Sequence, residues 1–280
     1  MSGAVNIVLS LGSALFAGTS DFLGGFGSRK AAAVVVTAVS QALAMLVAIG
    51  IAWVDGGQIN GSDLLLGALG GVGGAMGLMS IYAGYAVARV SIAAPVAGVG
   101  AAALPVLFDL ATGGGVSGRA TAGIVVGLFA IALISLERSS SSASVGVSLR
   151  YGLGGALGLG MLLLCLSRTS DDGGLWSVAA TRAAGAVVLL VVIAATRTPF
   201  RLPRTAWPPV LGVAVLSASA NAMFVAATQI GSVSTAAVLT SMFPAATVGW
   251  ARIVFGERLQ RVQIVGVAFA LLSVGLIASA

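Results

Sequence analysis

Arg182 stands alone in an apolar stretch: from Leu175 to Ala195 the chain has no other charged residue. A guanidinium in such surroundings needs a carboxylate, a cluster of carbonyls or an anionic group on a bound solute, because an unpaired charge at membrane depth is costly. Asp21 is the first charged residue of the chain and follows a long run of small and apolar residues. It could exchange a proton or meet a cationic solute; equally, it could pair with an arginine such as Arg29 near the membrane interface. Around these charges, amides and hydroxyls recur at helical spacing. Asn6, Ser10, Ser13, Ala17 and Ser20 fall on one helical face, as do Ser217, Asn221, Phe224 and Thr228. Thr37 and Gln41 form a shorter pair, matched by Ser177 and Thr181. The candidate cavity residues are therefore Ser13, Ser20, Asp21, Gln41, Thr181, Arg182, Ser217, Asn221 and Thr228. Small and hydroxyl residues are also the ordinary packing surface between membrane helices, so each stripe has a structural reading beside the functional one. An amide is harder to bury silently, which sets Asn221 and Gln41 apart.

Other chemistries lack their residues. Histidine is absent, the eight acids are scattered, and Cys165 is the single cysteine. That leaves no metal cluster, no nucleophile with its base and no internal disulfide, so no catalytic residue, metal or cofactor is expected. No Gly-Lys-Ser/Thr phosphate loop occurs, which argues against direct use of ATP.

The elements that must carry these residues follow from composition. Of 280 residues, 58% are hydrophobic and 8% charged, whereas a water-soluble globule carries roughly a quarter charged residues. The surface must face lipid. Apolar stretches separated by charge or turn residues give ten expected spans: about 4–27, 32–54, 64–86, 91–110 and 120–136, then 149–167, 175–195, 210–227, 234–254 and 262–279. The first of these reads as a span rather than a cleaved signal peptide, since no Lys or Arg precedes it. The connection 137–150, with Ser139–Ser142, reads as a flexible linker, whereas the Pro- and Arg-rich 196–209 reads as an ordered loop.

Sliding the chain by 143 positions aligns Val90-Ser91-Ile92-Ala93-Ala94 with Val233-Ser234-Thr235-Ala236-Ala237, and also Gly113 with Gly256 and Gly123 with Gly266. Two copies of a five-span unit are expected, and an odd number of spans turns the second copy upside down. The expected fold is an all-α membrane protein of two inverted five-helix repeats around a central cavity. The units are residues 1–138 and 149–280, joined by a Ser-rich linker at 139–148. Charges agree: Arg29 and Lys30 follow the first span, but Asp171 and Asp172 follow the sixth; Asp55 and Asp63 follow the second, but Arg197, Arg201 and Arg204 follow the seventh. All 14 basic residues except Arg119, Arg168 and Arg182 lie in odd-numbered connections, which puts those connections in the cytoplasm and both termini outside. The net charge of +6 is thus an orientation signal and not a nucleic-acid surface.

Pro95, Pro105 and Pro244 are expected inside spans, where they would free carbonyls or bend the helix. Gly70, Gly71, Gly73, Gly74 and Gly77 in the third span, and Gly154, Gly155, Gly158 and Gly160 in the sixth, would allow close helix approach. Trp53, Trp176, Trp207 and Trp250 fall near span ends as expected interfacial anchors.

A family resemblance emerges in residues 227–278. Gly231-Ser232-Val233-Ser234-Thr235-Ala236-Ala237, Ser241-Met242-Phe243-Pro244 and Phe255-Gly256-Glu257-Arg258-Leu259, with Gly266 beyond, resemble the last two spans of an EamA-type unit of the drug/metabolite transporter superfamily. Leu15-Phe16-Ala17-Gly18 is similar to the small-residue motif of that family's first span, with Phe16 in place of Trp. The first copy has Gly114 and Ala101 where the second has Glu257 and Pro244. The resemblance implies a ten-span permease for small metabolites, often an exporter, with Gly256, Glu257 and Arg258 as a family turn; it names no substrate, and amino acids or related solutes and drugs are the expected cargo. Arg182 stands where these proteins often carry Arg, and Gln41 is its first-half counterpart.

The expected function is secondary transport by alternating access, in an integral protein of a bacterial plasma membrane. Its partners are the lipid bilayer, a small solute and protons as a candidate coupling ion; monomer and homodimer both remain open. A membrane scaffold or lipid-handling protein is the second reading, and an intramembrane enzyme the weakest.

Overall fold

The computed structural model describes residues 2–56, 59–113, 117–135, 142–166, 168–169, 176–230, 239–240, 242–256 and 260–278. Among these there are ten α-helices and no strand: α1 Ser2–Ser28, α2 Ala33–Asp55, α3 Gly61–Val87, α4 Val90–Ala111, α5 Gly118–Ser135, α6 Ser142–Leu166, α7 Trp176–Ala195, α8 Trp207–Ile230, α9 Phe243–Phe255 and α10 Arg261–Ala278. A short 3-10 turn, Arg204–Ala206, leads into α8. Six helices (α1 to α4, α6 and α7) are long and apolar enough to cross a membrane by themselves.

Burial is arranged for lipid. Large apolar side chains point outward, among them Leu46, Val54, Val125, Leu128 and Val187. Ser, Thr, Asn and Gln point inward: Asn6, Ser10, Ser13, Thr37, Gln41, Ser148, Thr247 and Gln263 are all buried. A water-soluble protein has the reverse arrangement. This is an integral membrane protein.

The halves are interleaved. The most extensive packing is of α3 on α6 and α7, α1 on α8, α4 on α6, α5 on α10 and α2 on α7, so every one of these interfaces joins a helix of the first half to one of the second. Hydroxyls fasten α1 to α8 along the expected stripe. Asn6 Nδ2 donates to the Ala227 carbonyl at 2.7 Å, Ser13 Oγ to Ala220 at 2.8 Å, and Ser20 Oγ to Val213 at 3.3 Å. Here packing and cavity lining coincide on one face.

The α3–α6 crossing is made by bare backbone. A Cβ on Gly158 would strike the Gly73 carbonyl and the backbone of Gly77, and one on Gly77 would sit 2.9 Å from Leu159 N. Only glycine at these positions lets the axes approach so closely, and close approach replaces the hydrophobic drive that lipid abolishes.

The structure departs from expectation in three places. Residues 142–148, assigned to the Ser-rich linker, form the first two turns of α6; residues 136–141 lie outside the described residues. The physical reason is that Val145 and Leu149 pack on the Ile92–Val96–Val274 cluster, while the buried Ser148 Oγ accepts the Arg89 N–H at 3.0 Å. That N–H is an orphan at the start of α4, and the bond fixes the segment as helix. Second, Pro244 does not bend a helix interior. Met242 makes a turn, with its N–H on the Leu239 carbonyl, and Pro244 occupies the first turn of α9, where its missing N–H costs nothing. Pro95 and Pro105 do lie within α4. Third, Trp250 is half-buried against α1 rather than standing free at the interface: its Nε1 donates to Thr19 Oγ1 at 2.8 Å, whereas Trp53 is exposed.

Of the expected family turn, Gly256 ends α9 with φ 67, and its N–H bonds to the Ala251 carbonyl. Glu257 and Arg258 lie outside the described residues. Gly113, the position 143 residues earlier, also has positive φ, at 83. An L side chain at either place would be strained.

One end of the bundle is sealed. The largest core cluster unites Phe22, Tyr82, Tyr85, Val90, Ala93, Val210 and Val248, all near the odd-numbered connections. Arg29 closes that end, donating from Nε and Nη2 to the Tyr85 carbonyl at 3.3 and 3.2 Å and lying over the Phe255 ring at 3.3 Å. Among the described residues the central space lies toward the other end, where the candidate site is found.

Candidate functional site: a charged cavity between the halves

Polar side chains from five helices, α1, α2, α3, α7 and α8, line one cavity, among them Arg182. It is carried in the second turn of α7 and is half-buried. Its Nη1 donates to Gln41 Oε1 of α2 at 2.7 Å. The two residues expected to correspond across the halves therefore meet. A guanidinium has five N–H donors; among the described residues no other hydrogen bond engages this one, and it borders the cavity. Thr181, its neighbour, is buried and bonds back to the Val178 carbonyl at 2.6 Å, a helix-internal contact.

Asp21 faces the same space from α1. Among the described residues no hydrogen bond or ion pair engages its carboxylate, yet it lies close enough to Arg182 for the two charges to interact. The pairing of Asp21 with Arg29 at the interface, one of the two sequence expectations, is therefore replaced. Arg29 is committed to Tyr85 and Phe255, and the charge that Asp21 sees is Arg182. Sequence distance misled here, because α1 is too regular to curl Arg29 back toward the cavity.

The cavity has two lobes that share Gln41, Arg182, Ala220 and Asn221 in their walls. The inner lobe, about 270 Å³, is lined by Ser20, Asp21, Ser40, Gln41, Tyr82, Arg182, Ser217 and Asn221. The outer lobe, about 670 Å³, is bounded by apolar groups such as Pro105, Val106, Phe224 and Ile277, with Ser13, Thr181 and Thr240 among them. It runs past Leu166, Val178 and Ile277, residues at the helix ends away from the Arg29 seal. Together the lobes have the size of a small-molecule site, mostly apolar with a few converging polar groups.

Of the nine candidates, eight border this cavity. Thr228 is the exception, since its side chain lies outside what the structure describes. Asn221 is exposed to the cavity, and among the described residues its amide makes no hydrogen bond. Ser217 bonds only weakly, to the Ala214 carbonyl at 3.4 Å. Sequence reasoning missed Tyr82 and Ser40. Tyr82 could have been found as the large polar side chain seven residues from the centre of a glycine-rich span, facing the same way as Gly71 and Leu78. Pro105 borders the outer lobe, but Pro95 packs with Pro244 away from it.

A helical bundle in lipid, holding a polar cavity with both signs of charge and sealed at one end, has the build of a membrane permease. The model of the EamA-like transporter family matches residues 148–279. Residues 148–279, a little under half of the chain, thus match a family of membrane transporters, as the sequence resemblance implied. A comparison with curated proteins gives no match.

Proposed function

We propose that this chain is a secondary transporter that exports amino acids or related solutes from a bacterial cell by alternating access between two inverted five-helix repeats. The observation that carries the reading is the inner lobe. Arg182 offers free N–H donors to an anionic group, and Asp21 offers an unbonded carboxylate to a cationic one. A solute with a carboxylate and an ammonium would satisfy both, and the apolar outer lobe would receive its side chain.

The repeat is supported by contact register. The Ser13–Ala220 contact of α1 and α8, moved by 143 residues (13 + 143 = 156; 220 − 143 = 77), falls at 156–77, and Gly77 meets Gly158 there, within two residues. The Asn6–Ala227 contact maps to 149–84, and Gly84 meets Tyr151. The shared left-handed conformation of Gly113 and Gly256 agrees. Inversion has its own test. Reporter tags inserted after residues 30 and 172 should fall on opposite faces of the membrane, by accessibility to an impermeant label; the same face for both would end the inverted reading.

With odd-numbered connections in the cytoplasm, the Arg29–Tyr85 seal closes the inside and the cavity opens outward. Purified protein in proteoliposomes should accumulate or release labelled amino acids without ATP. Protons are proposed as the coupling ion, with Asp21 as their site. In Asp21→Asn, flux driven by a pH gradient should fall to the level of downhill exchange, while exchange itself persists. Undiminished pH-gradient drive in that variant would remove Asp21 from coupling.

A further inference from the structure

A second pocket lies outside the transport cavity, on the lipid-facing side of the sealed end. Its floor is α1, with Thr19, Phe22, Leu23 and Phe26, and its wall is α9, with Trp250 and Val254. The volume is about 240 Å³. The aromatic rings cluster: Phe22 stacks on Trp250 at 6.3 Å and meets Phe255 tilted at 5.0 Å, and Phe26 stacks on Phe255 at 6.2 Å. Among the described residues that line it, the polar side-chain groups, Thr19 Oγ1 and Trp250 Nε1, bond to each other at 2.8 Å, so the groove itself asks for no polar guest. It is a slot for hydrocarbon.

The end of the slot is cationic. Lys30 Nζ lies 4.3 Å from the Phe26 ring centroid, and one of its three N–H donors is taken by the Thr205 carbonyl at 3.1 Å. That bond ties Lys30 to the loop that precedes α8, in which the exposed Arg204 is the neighbour of Thr205. Arg29 adds a further charge over Phe255. An apolar slot that ends in lysine and arginine at the membrane surface complements a molecule with an acyl chain and an anionic head.

We infer that the α1–α9 groove binds an anionic phospholipid, its acyl chain on Phe22, Phe26 and Trp250 and its phosphate on Lys30 and Arg204. On the cytoplasmic reading of this end, the site faces the leaflet whose anionic lipids attract basic segments. The chain occupying it would bear on the α1–α9 contact beside the seal. The inference does not depend on which solute the central cavity carries.

Trp250 is a built-in probe. In a variant with Trp53, Trp176 and Trp207 changed to Phe, Trp250 fluorescence is read in phosphatidylcholine vesicles that contain brominated phosphatidylglycerol or brominated phosphatidylcholine. Quenching should favour the phosphatidylglycerol by at least about fivefold in relative binding constant, and Lys30→Gln should lower that preference by about fivefold. Equal quenching by both lipids, or a preference untouched by Lys30→Gln, overturns the inference. Arg204→Gln, on an exposed loop, gives the same reading should Lys30→Gln reconstitute poorly. Because the readout is fluorescence, loss of transport activity would leave it intact.

Discussion

Arg182→Ala is expected to cut solute flux in proteoliposomes by about a hundredfold or more at solute concentrations below saturation. The size follows from what is removed. A guanidinium held by one hydrogen bond to Gln41 keeps its other donors in a low-dielectric lobe, where a charge-assisted bond to a carboxylate is at its strongest. Truncating one partner of such a desolvated pair costs about 2–5 kcal/mol, much of it from the charge left unanswered on the solute. Arg182→Lys keeps the charge but loses the planar fork, so intermediate flux is expected. A structural role for Arg182 would give a different pattern. Removing it leaves the Gln41 carbonyl oxygen unpaired inside the bundle, at a cost of about 1–3 kcal/mol. The double variant Arg182→Met, Gln41→Met removes that penalty and should recover thermal stability while flux stays lost. Asn221→Ala, which empties a second polar position of the same wall, should reduce flux several-fold. If Arg182→Ala and Asn221→Ala both transported normally, the cavity described above would not be the solute site.

Gly158→Leu is expected to prevent stable assembly of the bundle, read as loss of the monodisperse protein in detergent and a fall in melting temperature of many degrees. A Cβ at this position collides with the Gly73 carbonyl and with Gly77, and neither is the movable end of a side chain. The α3–α6 interface would have to open along its length, giving up van der Waals contact that no hydrophobic effect restores in lipid. Overpacking of this kind costs about 1–3 kcal/mol even in adaptable cores, and backbone against backbone is the least adaptable contact. Gly158→Ala should show the same direction with a smaller fall. Gly50 serves as the control, since a Cβ there meets nothing within 4 Å. Gly50→Leu on the lipid-facing side of α2 should melt with the parent protein, and equal damage from both substitutions would refute the close-packing account.

Much of the fold was legible before any coordinates. Charge scarcity alone required a lipid-facing surface, and the apolar segments gave eight of the ten helices close to their observed bounds, the sixth and ninth differing at their starts. The polar stripe from Asn6 to Ser20 announced a buried face, and α8 supplies the carbonyls that it needs. The start of α6 was not legible, because serine is neutral between linker and first turn; the decision fell to Ser148 and its bond to Arg89 N, a partner 59 residues away. Pro244 misled for a related reason. Proline looks the same in sequence whether it bends a helix or begins one, and the turn at Met242 made it a beginning.

The candidate site divides in the same way. Arg182, Gln41, Asp21 and Asn221 could each be singled out, since an ionised or amide group amid apolar residues carries its cost in its immediate neighbourhood. Which of them meet could not be read from the chain. Asp21 has Arg29 and Lys30 close by in sequence, but a straight α1 carries them a full two turns further, onto the seal. Arg182 is 161 residues away and shares its cavity. Sequence by itself determined the solvent this protein faces, its helices and its costly residues, because those depend on local composition and period. Only the tertiary structure decided the partners, the sealed end and the aromatic groove, because those depend on which helix faces cross between the two halves.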